Sequence, residues 1–291
     1  MRVVLCNEVI RELDFASQCM FAQKLGYYGL EIAPFTLDEN PHLIRANRRA
    51  ELRRMATDAG ISITGLHWLL VAPKGLSIVS PDNVLRRKTI DVILGLIDLS
   101  SDLGGKIIVH GSPMQRNILP DDSVDLAWER AQDVFSAVVE AARSAGIVYC
   151  IEPLAQTDTN FINSVEQAAK LVQSINSPAF QTMIDTSAAR TESLSTPDLI
   201  DRWMPTGIIK HIHFNDPNRL GPGQGNTRFS MIAAALRRQN YSGLVGVEPF
   251  EYIPDGCASA ARAMGYIQGV FEELMTEVPS SPHQITSAGR P

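Results

Sequence analysis

Four stretches in the second half of the chain decide its fold: Ile147–Glu152 (IVYCIE), Phe180–Asp185 (FQTMID), Ile208–His213 (IIKHIH) and Leu244–Glu248 (LVGVE). Each is a short, mainly apolar run that ends on a side chain able to bind a cation. Runs of this length read as buried strands. Pro153 and Pro249 stop two of them directly. Helical sequence lies between them, and strands alternating with helices form a parallel sheet with the helices packed outside.

The first half continues the pattern. Val3–Asn7, Tyr28–Ile32, Ile61–His67 and Lys106–His110 read as four more strands. Asp14–Leu25 reads as a helix with Phe15, Cys19 and Ala22 on one face and Gly26 at its end. Arg45–Arg54 leads a second helix toward Gly60, its arginines forming a solvated face. Ser80–Pro81–Asp82 opens a third, with Ser80 as N-cap and Pro81 at the first helical position. Asp121 or Asp122 is expected to cap the fourth, whose apolar stripe is Ala127, Ala131, Val134, Val138 and Ala142. Ser164 and Gln167 have capping-box spacing. Thr196–Pro197–Asp198 opens a further helix, another ends near Gln239, and the last covers roughly Cys257–Leu274.

Eight strand–helix units in about 250 residues match a single (β/α)8 TIM barrel, an α/β fold. The expected domain is residues 1–276, with 277–291 a Ser- and Pro-rich disordered tail. A doubly wound open sheet is the competing architecture. Against it, no GxGxxG motif or P-loop follows the first strand.

Composition narrows the partners. The formal net charge is −6 and no basic block stands out, which argues against nucleic acid. Cys6, Cys19, Cys150 and Cys257 are scattered, with no CxxC pair and no disulfide-like framework, so a reducing cytoplasm is expected. The N-terminus runs straight into a strand pattern without the apolar core of a signal peptide, and no apolar run is long enough to span a bilayer.

A closed parallel barrel brings strand ends to one rim, where barrel enzymes keep their active sites. Glu152, Asp185, His213 and Glu248 are therefore expected around one point. A lone strand-end Glu, Asp or His is ordinarily a loop cap, a turn residue or a structural imidazole. Four on consecutive strands at equivalent ends are not. Three oxygen donors and one nitrogen suit Mn2+, Mg2+ or Co2+, and the absence of thiolate argues against structural zinc. The ion would act as Lewis acid and template. His211 shares strand parity with His213 and lies one layer deeper, in a supporting position.

These residues carry a family resemblance. IEP at Glu152, MIDT at Asp185, HIHFNDPNR from His211 to Arg219, the GPGQG loop and GLVGVEPF at Glu248 resemble the xylose isomerase-like barrel superfamily, and within it the D-tagatose/D-psicose (ketose) 3-epimerases. The resemblance implies one divalent ion, usually manganese, on Glu152, Asp185, His213 and Glu248. It also implies Glu152 and Glu248 as acid/base residues on opposite faces of the substrate, and Arg219 as a substrate-binding residue. Two positions depart from the family pattern. Ala188 stands where a substrate-binding His is expected, and Asp158 stands where a Glu is expected. Further candidate substrate contacts at strand ends are Glu31, His67, Trp68 and His110.

The implied chemistry is consistent on its own terms. A carbon acid beside a carbonyl is too weak for an ordinary carboxylate unless a cation stabilises the enediolate. One glutamate then removes the proton and the other returns one from the opposite face. Return to the neighbouring carbon would give aldose–ketose isomerisation instead. One alternative reading is a lyase or dehydratase acting on a keto-inositol or a 3-keto-glycoside. Another is an endonuclease IV-like metal nuclease, against which stand the acidic balance and only six histidines. A binding-only protein fits an intact four-ligand set least. The partner expected is a small sugar or keto sugar, with no membrane, and homo-oligomerisation is compatible with the exposed helix faces of such barrels.

Overall fold

The structure is a computed structural model that describes residues 1–276. The tail expected to be disordered lies outside the described residues. Eight strands run in parallel: β1 Arg2–Cys6, β2 Gly29–Ile32, β3 Ser62–Leu66, β4 Ile107–His110, β5 Val148–Ile151, β6 Phe180–Asp185, β7 Ile209–Phe214 and β8 Leu244–Val247. They pair in chain order and close through β1 and β8, with Leu5 opposite Val247, giving the expected (β/α)8 barrel. The helices between them are α1 Phe15–Lys24, α2 Ala46–Asp58, α3 Asn83–Leu103, α4 Val124–Ser144, α5 Val165–Ile175, α6 Thr196–Trp203, α7 Phe229–Arg238 and α8 Gly256–Thr276. None of them is long and apolar enough to cross a membrane.

The helices bury the stripes their periodicity announces. Ala127, Ala131, Val134, Val138 and Ala142 of α4 are all fully buried. Helix starts differ in detail. Asp82, not Ser80, caps α3 by accepting from Val84 N, while Ser80 accepts from Asp82 N in the preceding turn. Ser123 caps α4, because Asp122 is drawn into an ion pair with Arg130. Ser164 accepts from Gln167 N as a capping box requires. The Gln167 side chain, however, accepts from Asn163 N, one residue before the cap.

Strand parity sets which side chains meet. Val109, Cys150 and Met183 pack against one another as a small apolar cluster distinct from the main core. One residue on, His110 turns the other way, into the layer between barrel and helices. There it packs against Phe135 of α4 and Tyr149. Glu152 and Glu248 lie one residue past the ends of β5 and β8, yet stay tied to the barrel. Glu152 N donates to His110 O and Glu248 N to Phe214 O, both at 3.3 Å.

Candidate active site and metal centre

Glu152, Asp185, His213 and Glu248 converge at the C-terminal rim. One donor atom from each lies within 4.8 Å of all the others, and all four residues are buried. His213 Nδ1 is 2.8 Å from Glu248 Oε2 and 3.7 Å from Glu152 Oε1.

Each ligand is set by its neighbours. Asp185 Oδ1 accepts from the backbone N–H groups of Ser187 and Ala188, which leaves Oδ2 buried without a partner. His213 is held through its other nitrogen, with Nε2 3.1 Å from Glu31 Oε1. The second oxygen of Glu31 takes His211 Nε2 at 2.8 Å. One buried carboxylate thus fixes two imidazoles, the kind of outer contact that sets the ring orientation of a metal-ligating His. Gly246 leaves space for the His213 ring, since a Cβ there would come within 2.7 Å of it. Gly111 does the same for Glu152, since a Cβ there would lie 2.0 Å from Oε2. Asn215 joins three strand ends by accepting from Ser187 N and donating to Glu248 O.

Trp68 donates its indole N–H to Glu248 Oε1 at 2.6 Å. Its backbone is left-handed, with φ of 50°, a conformation costly for a bulky residue. Arg219 pairs its Nε with Glu251 at 3.1 Å and lays its guanidinium over Phe250, the ring that Trp68 also meets.

A cavity of about 180 Å3 opens above the four donors, lined among others by Trp68, Gly111, Asp158, Ala188, Arg219 and Phe250. This is smaller than the roughly 300–1,000 Å3 pockets of drug-sized ligands and suits a small polar molecule. A larger cavity of about 450 Å3 lies elsewhere on the rim, but among the described residues no metal-competent cluster lines it.

Three candidate contacts sit outside the cavity. Glu31 is 2 % exposed and spends both oxygens on imidazoles, so it supports the site from below instead of meeting substrate. His67 is sealed, with Nε2 2.9 Å from Glu8. His110 faces outward and hydrogen-bonds Tyr149 through Nδ1, because strand parity places it opposite the interior residue Val109. Among the described residues, His213 is the imidazole that faces the four-donor point.

Sequence reasoning missed Glu8, Gly111 and Asn215 as parts of the site. Gly111, directly after a strand, carried a signal; Glu8 and Asn215 carried none beyond adjacency to strand ends. Arg116 follows β4 by six residues. It is fully buried, donating to the carbonyls of Glu152, at 2.6 Å, and of His110.

Electrostatics follow from burial. Desolvation pushes Glu248 above the usual carboxylate range, although His213 beside it pulls the other way. Asp185 is pushed well up by burial and by the Glu152 and Glu248 charges. Burial alone would lower His213, but Glu248 and Glu31 outweigh it and hold the imidazole well above its ordinary value. For Glu31 the two imidazoles overcome desolvation and keep the carboxyl well below its usual range.

The donor set fits a divalent cation. Asp185 Oδ2 is an orphaned acceptor, and His213 Nδ1 makes no aligned hydrogen bond despite the carboxylate oxygen 2.8 Å away. Atoms so close without a shared proton geometry are what ligands to a common ion present.

The chain matches the profile of the xylose isomerase-like TIM barrel family over residues 19–269. It is 28% identical over 274 residues to a D-psicose 3-epimerase of Ruminiclostridium cellulolyticum, covering 91% of this chain and 88% of that protein. It is 27% identical over 235 residues to a D-psicose 3-epimerase of Agrobacterium fabrum, covering 78% and 76%. Among solved structures, a D-psicose 3-epimerase crystallised in the presence of D-fructose superposes with a TM-score of 0.79 at 21% identity, covering 93% and 99%. A 3-keto-D-glucoside 4-epimerase from E. coli also superposes at 0.79, with 18% identity, covering 92% and 99%. By its profile match along most of its length, the chain belongs to the xylose isomerase-like TIM barrel family.

Proposed function

We propose that this carbohydrate epimerase is a ketose 3-epimerase that works with one divalent cation, manganese first and magnesium or cobalt as substitutes. The observation that supports it most is the pair Glu152 and Glu248. They come from β5 and β8, well apart around the barrel, and converge on one buried point beside His213.

Glu152, Asp185, His213 and Glu248 would hold the cation, which supplies charge stabilisation for the oxygens of an enediolate. The protein's own part is proton transfer and orientation. One glutamate takes the proton from the carbon beside the carbonyl, and the other delivers a proton to the opposite face, inverting that centre. Burial raises the proton affinity of Glu248, which suits a carboxyl that must hold and release a proton near neutral pH. The Trp68 N–H on Oε1 keeps the other Glu248 oxygen turned toward the site. Arg219, Asp158 and Trp68 line the cavity and would bind the sugar.

The experiment is proton exchange. Protein loaded with Mn2+ is incubated in D2O with a panel of free ketoses, and carbon-bound deuterium is read by NMR. Label at C3 with formation of the epimer is expected. Glu152→Gln and Glu248→Gln should each abolish net inversion. Label at C1 or C2 with an aldose product would replace epimerisation by isomerisation. No exchange with any free ketose would overturn the reading.

Ala188 favours a second reading. Its small side chain lines the cavity where the family resemblance implies a histidine. That leaves room for a larger molecule, such as a keto-inositol or 3-keto-glycoside undergoing elimination or epimerisation.

A further inference from the structure

Two loops that line the catalytic cavity also frame the second, larger cavity. The loop after β6 contributes Ala188 to the catalytic cavity and, two residues later, Arg190 to the larger one. The loop after β7 contributes Arg219 to the first and Thr227 and Arg228 to the second. At about 450 Å3 the second cavity holds more than a stray water or two, and the proposed epimerase chemistry uses none of its side chains.

Its lining has a definite chemical character. Arg190 and Arg228 are exposed, and among the described residues neither guanidinium has a hydrogen-bonded or charged partner. Arg228 is also the N-cap residue of α7, and no side chain caps that helix. The N–H groups of Phe229 and Met231 turn to the carbonyls of Thr227 and Arg228, which leaves Ser230 N–H and the positive end of the helix dipole to an anion. Thr227, next in line, is 9 % exposed, and its buried hydroxyl has no partner. A buried hydroxyl without a partner is costly and calls for one. The acidic residue of the lining, Glu192, turns Oε1 to the backbone N–H of Val165 at 3.1 Å.

From this lining we infer that the cavity beside the active site binds an anionic group, a phosphate monoester or a carboxylate, carried at the far end of the substrate. Arg190 and Arg228 supply the charge, and the Thr227 hydroxyl and Ser230 N–H at the start of α7 supply neutral donors. Ala188 of the first cavity and Arg190 of the second stand two residues apart on the loop after β6, so the substrate would extend across that loop from one cavity to the other. This specifies the substrate class of the epimerase reading and rests on it. The site itself can be tested without turnover.

Two measurements decide it. In the first, the Mn2+-loaded full chain is titrated calorimetrically with inorganic phosphate. Binding should weaken about tenfold or more in Arg190→Ala and again in Arg228→Ala, since each removes a charge-assisted contact. Both side chains are exposed, so both variants should fold normally. Phosphate binding that is absent, or unchanged in the double variant as it would be for phosphate on the metal alone, overturns the proposal.

In the second, kcat/KM is measured for D-fructose, D-fructose 6-phosphate and the corresponding 6-carboxylate. One anionic sugar should exceed the neutral one about tenfold or more and lose that advantage in the arginine variants. Turnover of D-fructose should not change in those variants. Preference for the phosphate or for the carboxylate identifies which anion is native. Equal rates for all three, insensitive to both arginines, overturn the proposal while the epimerase reading stands. Arginine-dependent phosphate binding with no sugar turned over leaves the anion site standing and removes the epimerase reading.

Discussion

Gly111→Ala tests the geometry of the site at a single carbon. A Cβ on Gly111 would lie 2.0 Å from Glu152 Oε2 and 3.2 Å from Cδ. An ordinary C···O contact is about 3.4 Å, so the carboxylate must move by roughly 1.4 Å. Gly111 is not among the glycines at positive φ, so the backbone accepts alanine. The atom struck is the free end of a side chain, which can swing aside at little cost to folding. Swinging aside removes Glu152 from the point it shares with Asp185, His213 and Glu248. A misplacement of about 1 Å in a reacting group lowers rate by about a hundredfold. The variant should therefore keep its melting temperature within about 2 °C, which is about 1 kcal/mol for a protein of this size. It should lose about two orders of magnitude in turnover and bind Mn2+ measurably more weakly. Gly265→Ala, a helical position where a Cβ meets nothing within 4 Å, is the control. Turnover and Mn2+ affinity within twofold of wild type in Gly111→Ala would refute the placement of Glu152.

Three further outcomes follow from the same geometry. Mn2+ affinity should rise with pH, by up to about tenfold per unit for each proton displaced, because His213 and Glu248 are both held above their ordinary values and must lose protons to bind the ion; an affinity flat from pH 6 to 8 contradicts this. Glu31→Gln should weaken Mn2+ binding about 10- to 100-fold without touching the ion, since an amide offers only one acceptor to two imidazoles; recovery of turnover at high Mn2+ separates this positioning role from a catalytic one. Arg116→Met should cost about 2–4 kcal/mol by removing the donors to Glu152 O and His110 O, read as a lowered urea midpoint; an unchanged midpoint shows that the buried cation gives those carbonyls nothing.

The barrel was legible because two periodicities agreed. Strand runs of four to six residues alternated with apolar helical stripes, and α4 buried every residue of its stripe. The convergence of Glu152, Asp185, His213 and Glu248 followed from topology alone once the barrel closed. Less legible was anything that depended on side-chain direction one residue at a time. His110 ends a strand as His213 nearly does, but its parity is outward, and the apolar sequence on either side does not reveal the register. Glu31 reads like a rim residue. Two imidazoles from β7, on the far side of β1 and β8, hold it, and such long-range pairing has no local signal. Gly111 marks the end of a strand in the sequence, but its contribution, the space it leaves for Glu152, shows only in the structure.

The distribution of charge explains why these features belong together. Glu8, Glu31, Glu152, Asp185 and Glu248 are all buried at one end of the barrel, an arrangement that unpaired carboxylates could not sustain. Glu8 is matched by His67, and Glu31 by His211 and His213. Arg116 brings a buried positive charge to the Glu152 backbone. Glu248 has the neutral Trp68 N–H, an imidazole already shared with Glu31, and His67, itself bonded to Glu8, at 3.7 Å. Asp185 has two backbone amides on one oxygen and nothing on the other. The uncompensated negative charge therefore collects on the three carboxylates that face His213, and a divalent cation would balance it. The supporting pairs below spend their own charge on Glu8 and Glu31, so the same packing that stabilises the barrel end would leave its top layer to metal and substrate.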